Sequence, residues 1–366
     1  MTIVGFIIGL VLLVAGAEAL VRGAGKLALR FGVAPLVVGL TVVSFGTSAP
    51  ELAVSVQSAA QGKTDIAVGN VVGSNIFNVL LILGACAVVA PLVIHRQVIR
   101  KEVPIMIGAS ILLLVFGADG QIKRWEGMVL FALVVVYTLV LIRQSRREGK
   151  SGEADLEAEG LDLSSTWDQG LPVQLGLIVV GVAALVFGSN LLVDAAIEFA
   201  ESLGVSELII GLTIVAAGTS MPELATSIMA TIRGERDIAV GNVIGSNIFN
   251  ILSVVGLSGT VASSPLLVAE SVRNFDFWVM LAVAVACLPI FMVGERLSRW
   301  NGVVFLLYFA AYTVYLILDS QDHDALGTYE NVMLLFVVPI TVLTMVVVGV
   351  REWRSLRDKK AASVSP

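Results

Sequence analysis

The sequence has little charge, histidine or cysteine. Charged residues make up 14% of its 366 positions and hydrophobic residues 57%, whereas an ordinary soluble domain contains about 25% charged residues. The two cysteines, Cys86 and Cys287, lie in apolar stretches, which indicates small buried side chains rather than a disulfide or a metal site. The two histidines, His95 and His323, fall between apolar stretches. This composition argues against a soluble domain, a disulfide scaffold and a histidine-based metal site.

Apolar runs of roughly 20 residues occur along most of the chain, and each is long enough to cross a bilayer. Eleven spans are predicted, at residues 3–21, 34–60, 65–90, 102–118, 126–142, 171–193, 204–232, 237–262, 275–294, 300–318 and 330–350. The first lacks the basic segment that begins a signal peptide, so it is expected to be retained as a span. The sequence therefore predicts an all-α polytopic membrane protein.

The distribution of Lys and Arg predicts the orientation of these spans. If the N-terminus lies outside and the spans alternate, only four of the 23 basic residues fall outside, namely Lys63, Lys123, Arg124 and Arg273. Cytoplasmic loops of membrane proteins carry most of the Lys and Arg. The sequence thus indicates an N-out, C-in topology in the plasma (inner) membrane.

Two stretches of the chain are near copies of each other. Residues 31–84 and 203–256 align without a gap at an offset of 172, with 31 identities in 54 positions. The repeat predicts two halves of five spans, and an odd number of spans inverts the second half relative to the first. The predicted units are a first half at 1–143, an acidic cytoplasmic linker at 144–170, an inverted second half at 171–318, and an extra span with a basic tail at 319–366.

Each copy contains one glutamate inside an otherwise apolar span, and a helix-breaking motif precedes it. The motif is GTSAPE at Gly46–Glu51 and GTSMPE at Gly218–Glu223. Proline lacks an N–H and disfavours helix in the residue before it, so the span should break near the bilayer centre. Broken backbone at that depth is buried in protein or lines a cavity. Hydroxyls, released carbonyls and a carboxylate form an oxygen-only ligand set, which suits Ca²⁺ or Na⁺.

A capping interpretation of this motif is also open. Ser48 with Glu51, and likewise Ser220 with Glu223, has the spacing of a capping box at the start of a helix. An ionised glutamate within the membrane costs several kcal/mol or more, whereas a cap contributes about 1 kcal/mol. Capping alone does not account for two such residues. The motif is therefore predicted both to cap the half-helix and to bind a cation.

The second repeated motif is GNVVGSNIFN at Gly69–Asn78 and GNVIGSNIFN at Gly241–Asn250. Its polar residues at i, i+4 and i+8 share one helical face, and its glycines form small-xxx-small steps that allow close helix packing. Four residues are expected to face the acidic site: Ser74, Asn78, Ser246 and Asn250. Four other residues are expected to form hydrogen bonds between adjacent helices: Asn70, Asn75, Asn242 and Asn247. Asp65 and Asp237 are predicted to be N-caps.

The charge of the site suggests a mechanism. Two ionised glutamates give a charge of −2, which one Ca²⁺ or two Na⁺ would neutralise. A site that is costly when empty, and that holds one set of ions or the other, favours exchange over leak.

Both motifs resemble the α-1 and α-2 repeats of the sodium/calcium exchanger branch of the cation/Ca²⁺ antiporter superfamily, over approximately residues 1–318. The resemblance implies ten core spans in two inverted halves, with ions held between spans 2, 3, 7 and 8. It implies that spans 1 and 6 slide across this bundle during alternating access, and that Glu51 and Glu223 are central acids shared by Ca²⁺ and Na⁺. The other implied ligands are the backbone oxygens of Thr47 and Thr219, the flanking Na⁺ pairs Ser48 with Ser74 and Ser220 with Ser246, the carbonyls of Ser44 and Ala216, and Asn78 and Asn250 in the middle.

Asn250 departs from relatives that have Asp at this position, including the K⁺-dependent branch, which argues against K⁺ co-transport. The eleventh span also lies outside the ten-span pattern. The sequence therefore predicts a Na⁺/Ca²⁺ antiporter, not an enzyme, with no cofactor. Its expected partners are Ca²⁺, Na⁺ and the lipid bilayer, not nucleic acid, and its oligomeric state stays open. Exchange of H⁺ for Ca²⁺ or another divalent cation is the alternative, since either glutamate could titrate, and a cation channel or sensor ranks below both.

Overall fold

The computed structural model describes residues 2–31, 33–148, 170–202, 216–321, 323, 325–337, 339 and 341. The helices of the first half are α1 (Thr2–Phe31), α2 (Pro35–Val38), α3 (Ser44–Thr47), α4 (Ala49–Ala60), α5 (Thr64–Phe77), α6 (Gly84–Val89), α7 (Val103–Phe116) and α8 (Arg124–Glu148). Between them lie π-helical turns at Gly39–Val43, Asn78–Leu83 and Val98–Glu102 and a 3₁₀ turn at Gly117–Asp119.

The described helices of the second part are α9 (Leu171–Ser202), α10 (Ala216–Gly218), α11 (Met221–Ile232), α12 (Arg236–Phe249), α13 (Gly256–Val261), α14 (Phe277–Met292), α15 (Arg299–Ser320) and α16 (Leu326–Val332). Further π-helical turns lie at Asn250–Val255, Val272–Asp276 and Met333–Val337. The turns that begin at Asn78 and Asn250 lie 172 positions apart, so this helix irregularity is duplicated along with the sequence.

Eight segments within the described residues are long and apolar enough to cross a membrane, or nine if a bent pair of helices counts as one span. They are Val4–Ala28, Thr64–Val89, Val98–Asp119, Arg124–Gln144, Leu171–Glu198, Arg236–Val261, Val272–Met292 and Arg299–Ser320, with Pro35–Thr47 plus Ala49–Ala60 as the bent pair. Each overlaps a predicted span. The predicted spans at 204–232 and 330–350, and the linker at 144–170, lie partly outside the described residues, so the count of eleven stays a prediction.

Within the described residues, four two-residue strands add to the helices that the sequence predicts. They are β1 (Leu92–Val93), β2 (Gln121–Ile122), β3 (Leu266–Leu267) and β4 (Arg296–Leu297). β1 pairs antiparallel with β4, and β2 pairs antiparallel with β3, so each pair joins a loop of one half to a loop of the other. Strands this short have no hydrophobic alternation, which is why the sequence pattern did not indicate them.

The main apolar core is built from both halves. Val71 and Ile76 of α5 belong to the same buried cluster as Ile244 and Ile248 of α12, and none of the four side chains is exposed to solvent. The two copies of the second motif thus lie at the centre of the molecule. This placement brings the polar residues of both motifs into an otherwise apolar interior.

Close glycine contacts join α1 to α9, the first helices of the two halves. A Cβ added at Gly9 would lie 2.8 Å from the carbonyl oxygen of Gly188, and one at Gly16 would lie 2.9 Å from that of Gly181. Any larger residue would push the two backbones apart, because real Cβ atoms do not approach this closely. The two helices therefore run in opposite directions and pack tightly against each other beside the core.

The glycines of α12 have the same function in the core. All residues of α12 from Ile238 to Phe249 are buried. A Cβ at Gly241 would lie 2.8 Å from the carbonyl oxygen of Leu36, and one at Gly245 would lie 2.8 Å from the Cα of Leu40. The predicted small-xxx-small step is therefore confirmed for this copy of the motif. For the other copy, the corresponding partner segment lies outside the described residues.

The prediction that Asp65 and Asp237 are N-caps is wrong. The N-cap of α5 is Lys63 and that of α12 is Glu235, and both aspartates lie in the first turn. Each helix begins earlier than expected because a glycine turn with positive φ leads directly into it. An acid in the first turn still interacts favourably with the helix dipole.

Candidate cation site

The two helix breaks predicted from the sequence are present. Ser48 separates α3 from α4 with φ −80° and ψ 9°, and the helices on either side are bent by 46°. Ser220 precedes α11 with φ −92° and ψ 7°. Pro50 and Pro222 follow in the first turn of each second segment, where the missing N–H of proline breaks no helical hydrogen bond.

The serines at the breaks hold the glutamates of the opposite half. Ser48 and Ser220 occupy the N-cap positions, but neither side chain bonds to its own helix. Ser48 Oγ instead lies 2.9 Å from Glu223 Oε1, and Ser220 Oγ lies 3.0 Å from Glu51 Oε1. Both glutamates are fully buried. The predicted hydrogen bond within each capping box is therefore wrong, and each hydroxyl instead contacts the glutamate of the opposite repeat.

Two asparagines bond neighbouring helices, as predicted. Asn70 Nδ2 lies 3.0 Å from Ser55 Oγ of α4, and Asn242 Nδ2 lies 2.9 Å from Ser227 Oγ of α11. Their side-chain oxygens accept hydrogen bonds from threonines of the opposite repeat at the helix breaks. Thr47 Oγ1 lies 3.1 Å from Asn242 Oδ1, and Thr219 Oγ1 lies 3.4 Å from Asn70 Oδ1. Ser55 and Ser227 were missed by the sequence interpretation, although their identity between the repeats was a usable signal.

The structure pairs Ser74 with Ser220 rather than with Ser48 by hydrogen bonding. Ser220 Oγ lies 3.1 Å from Ser74 Oγ as well as against Glu51, so three residues from both repeats form one polar chain. Ser246, the repeat counterpart of Ser74, is fully buried. The Na⁺ pairs Ser48 with Ser74 and Ser220 with Ser246 stay predictions, and the structure adds a contact between repeats at Ser74.

The contacts of Ser44 and Ala216 do not test their predicted function as carbonyl ligands. The Ser44 hydroxyl lies 2.7 Å from the carbonyl oxygen of Gly39 and 3.0 Å from that of Asn242, so it bonds the backbone of α12. The Ser44 carbonyl accepts the N–H of Ser48 at 2.9 Å. Ala216 is the first residue of α10. Both remain predicted carbonyl ligands.

Ser189 of α9 is a polar contact that the sequence interpretation missed. Ser189 Oγ lies 2.5 Å from the carbonyl oxygen of Gly218, the last residue of α10 before the helix break. The repeat counterpart of Ser189 is Ala17, which has no hydroxyl. Comparison of the two repeats therefore gave no signal for this residue.

Five oxygens of the predicted site residues are buried without a hydrogen-bond partner in the described part of the chain. A buried polar group left without a partner costs about 1–3 kcal/mol, so such a cluster in a native protein requires an explanation. All five can donate a lone pair to a cation. The atoms are Glu51 Oε2, Glu223 Oε2, Asn78 Oδ1, Asn250 Oδ1 and Ser246 Oγ.

This donor set fits a hard cation rather than a transition metal. Carboxylate, amide and hydroxyl oxygens are preferred by Ca²⁺ and Na⁺, whereas zinc sites use His and Cys. Across the described ranges, no three His, Cys, Asp or Glu side chains are grouped as a metal site. The site therefore depends on two acids and on neutral oxygens around them.

Comparisons with known proteins identify the family of this chain. The model of the family described as "Sodium/calcium exchanger protein" matches residues 1–143 and 173–318, and each matched segment contains one copy of both motifs. The putative antiporter CaxA of Alkalimonas amylolytica is 38% identical over 319 residues, which are 86% of this chain and 98% of CaxA. The inner membrane protein YrbG of Escherichia coli is 40% identical over 279 residues, which are 76% of this chain and 85% of YrbG.

A sodium/calcium exchanger and a solved exchanger structure are also similar to this chain. MaX1 of Methanosarcina acetivorans is 34% identical over 340 residues, and the match covers 85% of this chain and 97% of MaX1. The structure of the sodium-calcium exchanger NCX_Mj, soaked with 2.5 mM Na⁺ and 0.1 mM Ca²⁺, gives a TM-score of 0.71 at 29% identity, covering 85% of this chain and 97% of that one. The chain is therefore a multi-pass membrane protein that belongs to the sodium/calcium exchanger family.

Proposed function

We propose that this protein exchanges Na⁺ for Ca²⁺ across the membrane by alternating access at one central site built from Glu51 and Glu223. The main observation behind the proposal is that each glutamate accepts a hydrogen bond from the serine at the helix break of the opposite repeat. A site shared by two inverted halves lies in the bundle that both halves build, and sliding of spans 1 and 6 across this bundle can open it to either side. The names of MaX1 and NCX_Mj as sodium/calcium exchangers support the choice of ions.

The Ca²⁺ site takes both carboxylates together with the backbone oxygens of Thr47 and Thr219. Asn78 and Asn250 line the middle of the site through their side-chain oxygens, which have no other partner within the described residues. One Ca²⁺ neutralises the charge of two ionised glutamates. This balance explains how two acids are tolerated in a buried, membrane-embedded position.

Na⁺ binds on either side of the centre, at positions that combine residues of both repeats. One position is formed by Ser220, Ser74 and Glu51, which are joined by hydrogen bonds. The repeat relationship assigns Ser48, Ser246 and Glu223 to the other. The carbonyls of Ser44 and Ala216 complete the two positions. Two Na⁺ balance the carboxylates and a third leaves a charge of +1.

Exchange of H⁺ for Ca²⁺ is the second candidate. The hydrogen-bond partners of the two carboxylates are neutral hydroxyls, so a proton on each glutamate would neutralise the site as well as Na⁺ does. The name of CaxA as a putative antiporter does not specify the coupling ion. A cation channel and a cation sensor rank below exchange, because broken helices in inverted repeats are typical of transporters.

The proposed setting is the inner membrane, with the N-terminus outside and the C-terminus inside. The excess of Lys and Arg in the predicted inside segments supports this orientation. YrbG, named an inner membrane protein, supports the location.

The test is Ca²⁺ uptake into vesicles that contain the purified protein. Uptake is compared under an imposed Na⁺ gradient and under an imposed pH gradient. The same measurements are made on Asp65→Asn, which removes an exposed carboxylate in the first turn of α5 and serves as the control. We expect uptake to follow the Na⁺ gradient in both proteins. Uptake that follows pH and ignores Na⁺ supports the second candidate and overturns the first, and uptake that needs neither gradient indicates a channel.

A further inference from the structure

Asn75 and Asn247, which the sequence predicts only to bond adjacent helices, bond to each other's backbone across α5 and α12. Asn75 Nδ2 lies 3.3 Å from the carbonyl oxygen of Asn247, and Asn247 Nδ2 lies 3.3 Å from that of Asn75. Both side chains are buried. The two bonds form a reciprocal pair between the two copies of the second motif.

The same two asparagines also hold the asparagines of the proposed cation site. Asn78 Nδ2 donates to Asn247 Oδ1 at 3.0 Å, and Asn250 Nδ2 donates to Asn75 Oδ1 at 3.2 Å. Asn78 lies one helical turn from Ser74, on the helix face that reaches Ser220 and Glu51. The partner-free oxygens of Asn78 and Asn250 are therefore the ends of two short hydrogen-bond chains.

The direction of each chain follows from its first member. A backbone carbonyl can only accept, so the NH₂ group of Asn247 must face Asn75 and its Oδ1 must face Asn78. Asn78 must then turn its own NH₂ group towards Asn247, which leaves its Oδ1 on the opposite side. Reversal of Asn247 would oppose two acceptors at the Asn75 carbonyl and two donors at Asn78, and reversal of Asn78 alone would oppose its Oδ1 to the Oδ1 of Asn247.

We propose that Asn75 and Asn247 are positioning residues that orient the side-chain amides of Asn250 and Asn78, so that oxygen and not NH₂ faces the bound cation. The proposal rests on the proposed cation site. Without Asn247, Asn78 has no acceptor to fix its NH₂ group, and the amide can reverse and present two N–H donors to a positive ion. Asn75 orients Asn250 in the other repeat by the same bond.

A double-mutant cycle separates orientation of the amide from simple packing. Asn247→Leu removes the acceptor for Asn78, and it is measured in the native protein and in Asn78→Asp. Aspartate has oxygen at both terminal positions, so no orientation remains to be fixed, and it offers no donor to Asn247 Oδ1 that Asn247→Leu could remove. The readout is the Kd for radiolabelled Ca²⁺ in detergent-purified full-length protein, and Asn274→Leu, an exposed change of the same type, is the control.

We expect Asn247→Leu to raise the Kd for Ca²⁺ about tenfold in the native protein, as for loss of one good ligand bond, and less than about twofold in Asn78→Asp. A packing role predicts the same factor in both backgrounds, and that result would overturn the proposal. If Asn247→Leu does not give a monodisperse protein, Asn247→Ala serves in the same cycle. Asn75→Leu with Asn250→Asp gives the corresponding cycle in the other repeat.

The same assay distinguishes failure of this inference from failure of the proposed site. Glu51→Gln is measured beside the cycle. If Glu51→Gln binds Ca²⁺ as the native protein does, the proposed site itself is wrong. If Glu51→Gln loses binding while the cycle is additive, the site stands and the positioning function of Asn247 is rejected.

Discussion

Ser48 of the first repeat donates a hydrogen bond to Glu223 of the second, over 2.9 Å between Ser48 Oγ and Glu223 Oε1. Ser220 and Glu51 form the corresponding bond over 3.0 Å. Each acid is thus held at the helix break of the opposite repeat, and neither repeat alone contains the surroundings of its own glutamate. The proposed exchange therefore needs both repeats at one site.

Removal of either serine hydroxyl should weaken Ca²⁺ binding. Ser48→Ala takes from Glu223 a hydrogen-bond donor that fixes its carboxylate, and Ser220→Ala does the same to Glu51. A hydrogen bond to a charged group contributes about 1.5–3 kcal/mol, so we expect the Kd for Ca²⁺ to rise about tenfold or more in each variant. Equilibrium binding of radiolabelled Ca²⁺ to the purified variants measures this effect.

The matched control for the serine variants is Ser110→Ala in α7. Ser110 is also buried, but its hydroxyl bonds the carbonyl of Met106 in its own helix and not a glutamate. Its Kd should stay within about twofold of the native value, because an intrahelical bond of this kind contributes little. If the Kd for Ca²⁺ rose equally in Ser48→Ala and Ser110→Ala, the hydroxyl at the helix break would have no particular effect on Ca²⁺ binding.

Gly245→Ala should destabilise the packing of the two repeats. A Cβ at Gly245 would clash with Ser44 Oγ and would lie 2.8 Å from the Cα of Leu40, so the helices must separate. Overpacking of this kind costs about 1–3 kcal/mol, and the thermal unfolding midpoint in detergent should fall. Gly108→Ala in α7 has no atom within 4 Å of the added carbon, and it should leave the midpoint unchanged or raise it slightly. Equal midpoints in the two variants would contradict the described contact.

The turn between α11 and α12 should make stability depend on pH. Burial raises the pKa of Glu235 to about 7, against the lowering effect of Arg233, while Glu18 raises it and Lys26 lowers it. A carboxyl whose pKa is raised by folding stabilises the protein fully below its ordinary pKa of 4.5, and this contribution is lost as the pH rises through about 7. The native protein should therefore lose stability across this interval.

Glu235→Gln removes the titrating group and should flatten this dependence. At a pH of about 8 we expect the variant to be more stable than the native protein by on the order of 2 kcal/mol, and at a pH of about 5 the difference should shrink. Thermal midpoints across the pH range measure both values. Glu270→Gln, an exposed carboxylate change, is the control. If the stability of Glu235→Gln fell with pH as steeply as that of the native protein, the pH dependence would belong to another group.

A cross-link between α1 and the turn after α11 should stop transport but preserve binding. Glu18 of α1 forms an ion pair with Arg233, so cysteines at these positions lie within reach of a reducible bifunctional thiol reagent. The native cysteines, Cys86 and Cys287, are buried. If α1 slides during the transport cycle, the linked protein should bind Ca²⁺ without moving it, and reductant should restore uptake. Unchanged uptake after complete cross-linking would show that α1 does not move relative to this turn.

The sequence predicted much of the fold because its signals are local. Each helix that is long enough to cross a membrane in the described residues overlaps an apolar run, and the glycine–proline motifs correctly predicted the breaks at Ser48 and Ser220. Two predictions failed by small amounts. The helix starts near Asp65 and Asp237 shifted because a glycine turn with positive φ controls where the chain enters each helix.

The contacts within the site could not be predicted from one sequence, because periodicity places a side chain on a helix face but does not identify the helix it meets. Ser48 has the spacing of a cap for its own helix, yet its hydroxyl bonds Glu223, 175 positions away. The orientation of the Asn75 and Asn247 amides is likewise decided by a carbonyl on another helix. These contacts depend on how the two repeats pack.

The most direct measurement of the central claim is the number of Ca²⁺ ions bound per chain in the native protein, in Glu51→Gln and in Glu223→Gln. If both glutamates form one shared site, the native protein binds one central Ca²⁺, and each single variant loses it at concentrations that saturate the native protein. Excess Na⁺ should displace the ion from the native protein. Retention of Ca²⁺ binding at the native Kd in either variant would contradict a site built jointly from the two repeats.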